Sequence, residues 1–113
     1  MPKPNPFNPN GAPKKNPPDD LYIMQMFKTG DIKVGRSKDV DRRLDQLQTG
    51  CPHPLRVILQ ISGQGYRERA IHRIMKRHMI RRNGEWFTEG ALAELPPEFY
   101  GLLNLELSDW WIS

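Results

Sequence analysis

Cysteine is almost missing: Cys51 is the single one in 113 residues, so no internal disulfide can staple the fold. Long apolar runs are missing too. No uninterrupted stretch approaches the twenty or so residues a membrane-spanning helix needs, and Met1 to Pro18 has no apolar segment of signal-peptide type. The expectation is a soluble protein of a reducing compartment, the cytoplasm, with no membrane partner. A chain this short also lacks the material for a second core or a large enclosed cofactor cavity, which leaves one small domain with a shallow cleft. Acid is the scarcer charge, with 13 Asp and Glu against 17 Lys and Arg, a net +4 that favours a polyanionic partner.

What is present is unevenly distributed. Seven of the eleven prolines fall within residues 1–18, interleaved with Asn, Lys and Gly, so this stretch reads as a flexible tail; its Lys3, Lys14 and Lys15 could touch a phosphate backbone, but composition favours a solvated leader. Residues 19–95 carry the apolar periodicity of a folded domain, and residues 96–113 form an apolar and acidic extension. Within the domain, Leu21 to Phe27 and Ile32 to Val34 flank the turn Lys28-Thr29-Gly30-Asp31, the pattern of a β-hairpin. Ser37 suits a helix cap, with Asp39 in the first turn, Val40, Leu44 and Leu47 at helical spacing, and Gly50 closing the helix. Pro52 and Pro54 enforce an extended turn before a third strand, Leu55 to Ile61. A second helix is expected over Tyr66 to Arg82, stopped by Asn83-Gly84, and a short one after Trp86-Phe87 through Leu95. This order predicts an α+β fold, a small three-stranded antiparallel sheet flanked by helices.

Charge separates along that order. Arg67 to Arg82 carries seven bases and one acid, Glu68, whereas Glu85 to Ser113 carries six acids and no base. Seven like charges on one helix repel unless phosphates or counterions sit among them, so a nucleic-acid face competes with a merely solvated one. Projected at 100° per residue, Ile71, Ile74, Met75, His78 and Met79 share an arc with Glu68. A carboxylate on an apolar face needs a proton, a metal or a partner, and His72 lies one turn on. On the first helix the same projection sets Arg43 at the rim of the apolar stripe and Arg42 toward solvent. Cys51, His53, His72 and His78 lack the paired spacings of zinc modules, and Cys51 reads as a turn residue.

Taken together, Leu21-Tyr22-Ile23, Lys33-Val34-Gly35 with Lys33 eleven residues after Tyr22, Arg43 ten further on, Glu68 with His72, and Gly84-Glu85-Trp86-Phe87 resemble the GIY-YIG nuclease superfamily. The likeness covers about Leu21 to Phe87 and is closest to the phage and bacterial branch whose second tripeptide reads Lys-Ile-Gly. It implies a metal-dependent endonuclease acting on DNA with Mg²⁺ or Mn²⁺, in the host cytoplasm if the gene is a phage's. By position the family's tyrosines fall on Tyr22 and Lys33, its arginine on Arg43 and its metal-binding glutamate on Glu68, with His72 and Glu85 as secondary candidates. Arg36, Arg69, Arg73, Lys76 and Arg77 are the expected phosphate contacts. Leu21 stands where the family has Gly, Lys33 where it has its second Tyr, and no His follows Arg43 on its helix. The implied chemistry gives Tyr22 the attacking water, with the Lys33 ammonium expected to lower the phenol's pKa or to be the base itself.

Two other readings fit the same residues: a catalytically inactive DNA-binding module, and a protein-interaction module built on Phe99 to Trp111. Strand register bears on the first choice. A two-residue turn at Thr29-Gly30 would set Met26 opposite Lys33 and leave Tyr22 about 13 Å away along the strand. A wider loop would bring them together.

Overall fold

The computed structural model describes residues 18–80 and 85–104. Strand β1, Asp20–Met26, is apolar on both faces because it lies between neighbours and under helices on either side; residues 21–25 are all buried. It pairs antiparallel with β2, Ile32–Ser37, and with β3, Leu55–Ile61. The three expected strands thus form one antiparallel sheet, and a fourth, β4 at Trp86–Phe87, extends it in the order β3-β1-β2-β4.

The hairpin has the wider loop. Met26 N–H donates to Asp31 O at 2.8 Å and Gly30 N–H to Met26 O at 3.0 Å, so Phe27 to Gly30 bulge out, with Lys28 and Gly30 at φ 82° and 77°. Met24 therefore opposes Lys33, and Tyr22 opposes Gly35. Tyr22 and Lys33 become diagonal neighbours on one face, about 7–8 Å apart instead of 13.

Helix α1, Val40–Thr49, is capped by Asp39, whose side chain accepts from Arg42 N–H at 3.1 Å. Ser37, the expected cap, acts one step earlier: its hydroxyl accepts from Asp39 N–H and donates to Asp39 O, both at 3.0 Å, and so presents Asp39 to the helix. At the other end Gln48 holds the proline turn, donating to His53 O at 2.9 Å and accepting from Leu55 N–H at 2.7 Å. Val40 is buried with Tyr22 and Met24, against Leu44, Leu47 and Val57.

On the opposite face the second helix is much shorter than its charge run. A 3₁₀ turn at Gly65–Arg67 leads into α2, Glu68–Ile74, and a second 3₁₀ turn covers Lys76–His78. The helix stops because the following backbone groups are claimed by the sheet: Ile80 N–H donates to Trp86 O at 2.8 Å, Thr88 N–H to His78 O at 2.9 Å, and Met79 bridges to Phe87. The helical arc breaks accordingly, with Ile71 and Met75 buried but Ile74 and Met79 exposed. Entry into α2 is fixed by Gly65, which donates to Asp19 O at 2.7 Å; a Cβ there would meet that oxygen at 2.9 Å and Arg36 Cβ at 3.0 Å.

After β4 come two 3₁₀ segments, Glu89–Glu94 and Pro97–Leu102. Ala91, Leu95 and Phe99 join Leu21, Ile23, Ile32, Ile58, Ile71 and Phe87 in the main core, with Leu103 packed against it. The proline-rich tail, Arg81 and Arg82, the Asn83-Gly84 stop, and Trp110 and Trp111 lie outside the described residues. No helix among the described residues is long and apolar enough to cross a membrane.

Candidate active site

Alternation along β1 and β2 sends Tyr22, Met24, Lys33 and Gly35 to the face covered by α1. Tyr22 is 1% exposed and its ring lies across Gly35. A Cβ on Gly35 would come within 3.1 Å of Tyr22 Cε1 and closer still to the phenol carbon and oxygen, so only glycine leaves the ring its place. From α1 the half-buried Arg43 reaches over toward the phenol, where it favours the ionised form. It donates to Gln46 Oε1 at 3.4 Å. Arg42 is exposed, as the helical projection expected.

Lys33 is 6% exposed, and a buried ammonium needs a partner. It has Glu85, with Nζ to Oε1 at 2.8 Å, and lies 5.8 Å from the centre of the Trp86 ring. Glu85, a secondary candidate by sequence and itself exposed, is thus the carboxylate that holds the buried ammonium. Phe87 alone is fully buried; Trp86, paired with Lys33 across the strands, belongs to the Tyr22 face.

On the β2 side, β4 pairs with Ile32 and Lys33, and past Lys33 no further strand pairing to β4 is found among the described residues. His72 lies there, donating from Nε2 to Val34 O at 2.7 Å, with its ring 5.4 Å from Phe87. A carbonyl has no proton to give, so the bond places the proton on Nε2. Glu68, one turn earlier at the start of α2, has Oε2 3.7 Å from the same nitrogen, too far for a hydrogen bond.

The electrostatics tie these groups together. Burial pushes the Tyr22 phenol above its ordinary value, the Arg43 hydrogen bond and charge oppose this, and the Glu85 and Glu68 carboxylates add to the rise. The expected lowering by Lys33 does not occur, because the ammonium is turned to Glu85 and Arg43 is the cation at the phenol. Glu85 is held below the usual carboxylate range by the Lys33 hydrogen bond, against partial burial, with help from the charges of Lys33, His72 and Arg43. Tyr22, Lys33, Arg43, Glu68, His72 and Glu85 thus feel one another at one edge of the sheet.

The expected phosphate contacts divide. Arg69, Arg73 and Lys76 are exposed and have no ion-pair partner among the described residues. Arg36 pairs with Asp19 at 2.9 Å, and Arg77 with Glu94, which also receives His78 at 3.0 Å. Arg67 pairs with Glu98 at 3.1 Å and stacks on Phe99, 4.6 Å from its ring centre. Acids missing from the basic run are thus supplied from later in the chain. Glu94 is held low in pKa, by His78 first and then by Arg77.

Among the described residues no group of three or more His, Cys, Asp or Glu is placed to hold a metal ion. Mg²⁺ is commonly bound through one or two carboxylates and keeps its remaining positions for water and substrate phosphate, and Glu68 offers one carboxylate with its side chain 21% exposed.

A family model, the T5orf172 domain, matches residues 21–96, from β1 past the Glu89–Glu94 segment. No curated protein and no solved structure matches the chain.

Proposed function

The chain belongs to the T5orf172 domain family, a phage-associated domain related to GIY-YIG-like nuclease folds, and on that premise we propose that it is a metal-dependent endonuclease hydrolysing DNA phosphodiester bonds. The observation that carries the reading is the gathering of Tyr22, Arg43, Lys33 and Glu85, with Glu68 and His72 beside them, around Lys33 and Val34 of β2. Arg43 presents a fork of donors suited to the equatorial oxygens of a phosphate under attack. Tyr22 keeps its proton near neutrality, so its part is to orient the attacking water by hydrogen bonding, not to deprotonate it. The Lys33–Glu85 pair holds a buried cation against an ionised carboxylate at the cleft wall. Glu68 would hold Mg²⁺ or Mn²⁺, which when bound neutralises phosphate charge and acidifies water. Hydrolysis forms a phosphorus–oxygen bond from water and breaks the one to the leaving sugar oxygen, which takes up a proton.

Glu68→Gln removes the anionic ligand and keeps the side chain's volume. Nicking of supercoiled plasmid in Mg²⁺ or Mn²⁺ should disappear in this variant while duplex binding persists. Near-normal turnover would defeat the assignment and move it to Glu85, for which Glu85→Gln is the control. A second reading, DNA binding without cleavage, draws on Arg69, Arg73 and Lys76, exposed and without ion-pair partners among the described residues. Salt-dependent binding by wild-type protein that cuts under no metal would select it.

A further inference from the structure

Beside the cluster lies a cavity of about 330 Å³, walled by Met26 of β1, Gln46 and Leu47 of α1, Cys51 and Pro52 of the following turn, and Trp86 of β4. We propose that this cavity receives one unstacked nucleobase of the DNA, next to the phosphate gripped by Arg43. The inference rests on the nuclease reading and deepens it by naming the substrate class: single-stranded, frayed or distorted DNA in preference to continuous duplex.

Size comes first. The volume is at the small end of organic-ligand sites, which suits a single heterocycle and excludes a large cofactor. Chemistry comes next. The lining has no Lys, Arg, Asp or Glu, so it solvates a charged group poorly, whereas one aromatic ring, the apolar Met26, Leu47 and Pro52, and one carboxamide suit a neutral planar ring with hydrogen-bonding edges. Position decides between neutral rings. Gln46, on one wall, accepts from Arg43 at 3.4 Å, and Trp86, on another, has the Lys33 ammonium 5.8 Å from its ring centre. A neutral slot that shares two walls with the partners of two cations matches a base and its own phosphate, a neutral plane joined to an anion. A base stacked within a duplex cannot enter a recess of this kind, so the nucleotide must first be free of its stack.

Cys51 gives a direct readout, because it is the chain's one cysteine and half-exposed in the cavity wall. The full-length protein is held in EDTA, where nothing is cut. It is mixed with a single-stranded oligonucleotide, with the same strand carrying one abasic site at successive positions, and with the matching duplex. Affinity is read by fluorescence anisotropy, and access to Cys51 by its rate of alkylation with iodoacetamide. The expected result is protection of Cys51 by the intact strand, and one register at which the abasic site removes the protection and weakens binding about 5- to 150-fold, the usual range for one stacked base. Duplex should bind with the salt dependence of phosphate contacts and leave Cys51 reactive. Protein capped at Cys51 with N-ethylmaleimide should keep duplex binding and lose the abasic-site effect. Binding with a flat abasic scan and an unprotected thiol would overturn the base pocket and leave the nuclease reading standing. Failure to bind any DNA at low salt would remove both.

Discussion

Tyr22 and Lys33 show what a residue's environment adds to its identity. Their spacing in sequence is readable, but their diagonal placement on one face depends on the hairpin loop: the Met26–Asp31 and Gly30–Met26 hydrogen bonds choose the register that the turn residues left open. The direction of the Tyr22 shift was likewise hidden, since it depends on burial and on Arg43 arriving from another element. It has a consequence for stability. Below the unfolded value of 10.0 both states keep the phenolic proton and stability is unchanged. As pH rises from there through the higher folded value, the unfolded chain ionises first and stability falls. Tyr22→Phe cannot ionise, so between pH 8 and 11 it should lose less stability than wild type, read as the shift in urea midpoint. Equal losses would show that burial of this phenol does not oppose its ionisation. Lys33 carries a separate prediction. If its ammonium acts in the chemistry, Lys33→Met should slow single-turnover cleavage at saturating DNA and metal by about 10²- to 10⁴-fold. If it only grips phosphate, saturation should restore the full rate, and that result would refute the catalytic role.

Strands and α1 were legible at the scale of elements because they obey local rules: an apolar run bounded by turns, a cap and a three-to-four-residue stripe. The second helix was not, because its end is decided by partners. Helical spacing continues through Met79, yet Trp86 and Thr88, later in the chain, take the backbone of Ile80 and His78 into pairing. The same later segment changes the charge argument. Glu94 and Glu98 neutralise Arg77 and Arg67, so the basic run is narrower in space than in sequence. Phosphate binding should therefore depend on the members that no acid holds among the described residues. Replacing Arg69 and Arg73 by Ala should lower the slope of log affinity against log salt by about 0.9 for each duplex phosphate the variant no longer neutralises. Arg77→Ala should change that slope less, because its guanidinium is already held by Glu94. Salt titrations of the two variants decide it, and an unchanged slope in the first would make α2 a solvated face.

The sequence pattern leaves residues 98–113 without an assigned structure, since a short stretch of apolar and aromatic residues with three acids carries no periodicity of its own. Their first residues are held by the whole molecule instead. Phe99 is 1% exposed in the core that α2 and the sheet share, Arg67 lies over its ring, and Asn104 N–H donates to Ile58 O at 2.7 Å. A segment of this kind closes the α2 face of the sheet, opposite α1 and the Tyr22 side. Two independent effects should therefore separate on mutation. Phe99→Ala removes a large buried ring and leaves a cavity that the strands cannot collapse into, so it should cost about 3–5 kcal/mol of stability by urea unfolding. In a domain whose total is on the order of 5–15 kcal/mol that is a large share. Below the unfolding transition, however, the variant should keep the duplex affinity and salt slope of wild type, because Arg69, Arg73 and Lys76 do not touch the ring's site. A destabilisation under about 1 kcal/mol would mean that the core closes without Phe99, and an intact stability with abolished DNA binding would place this segment in the nucleic-acid interface instead.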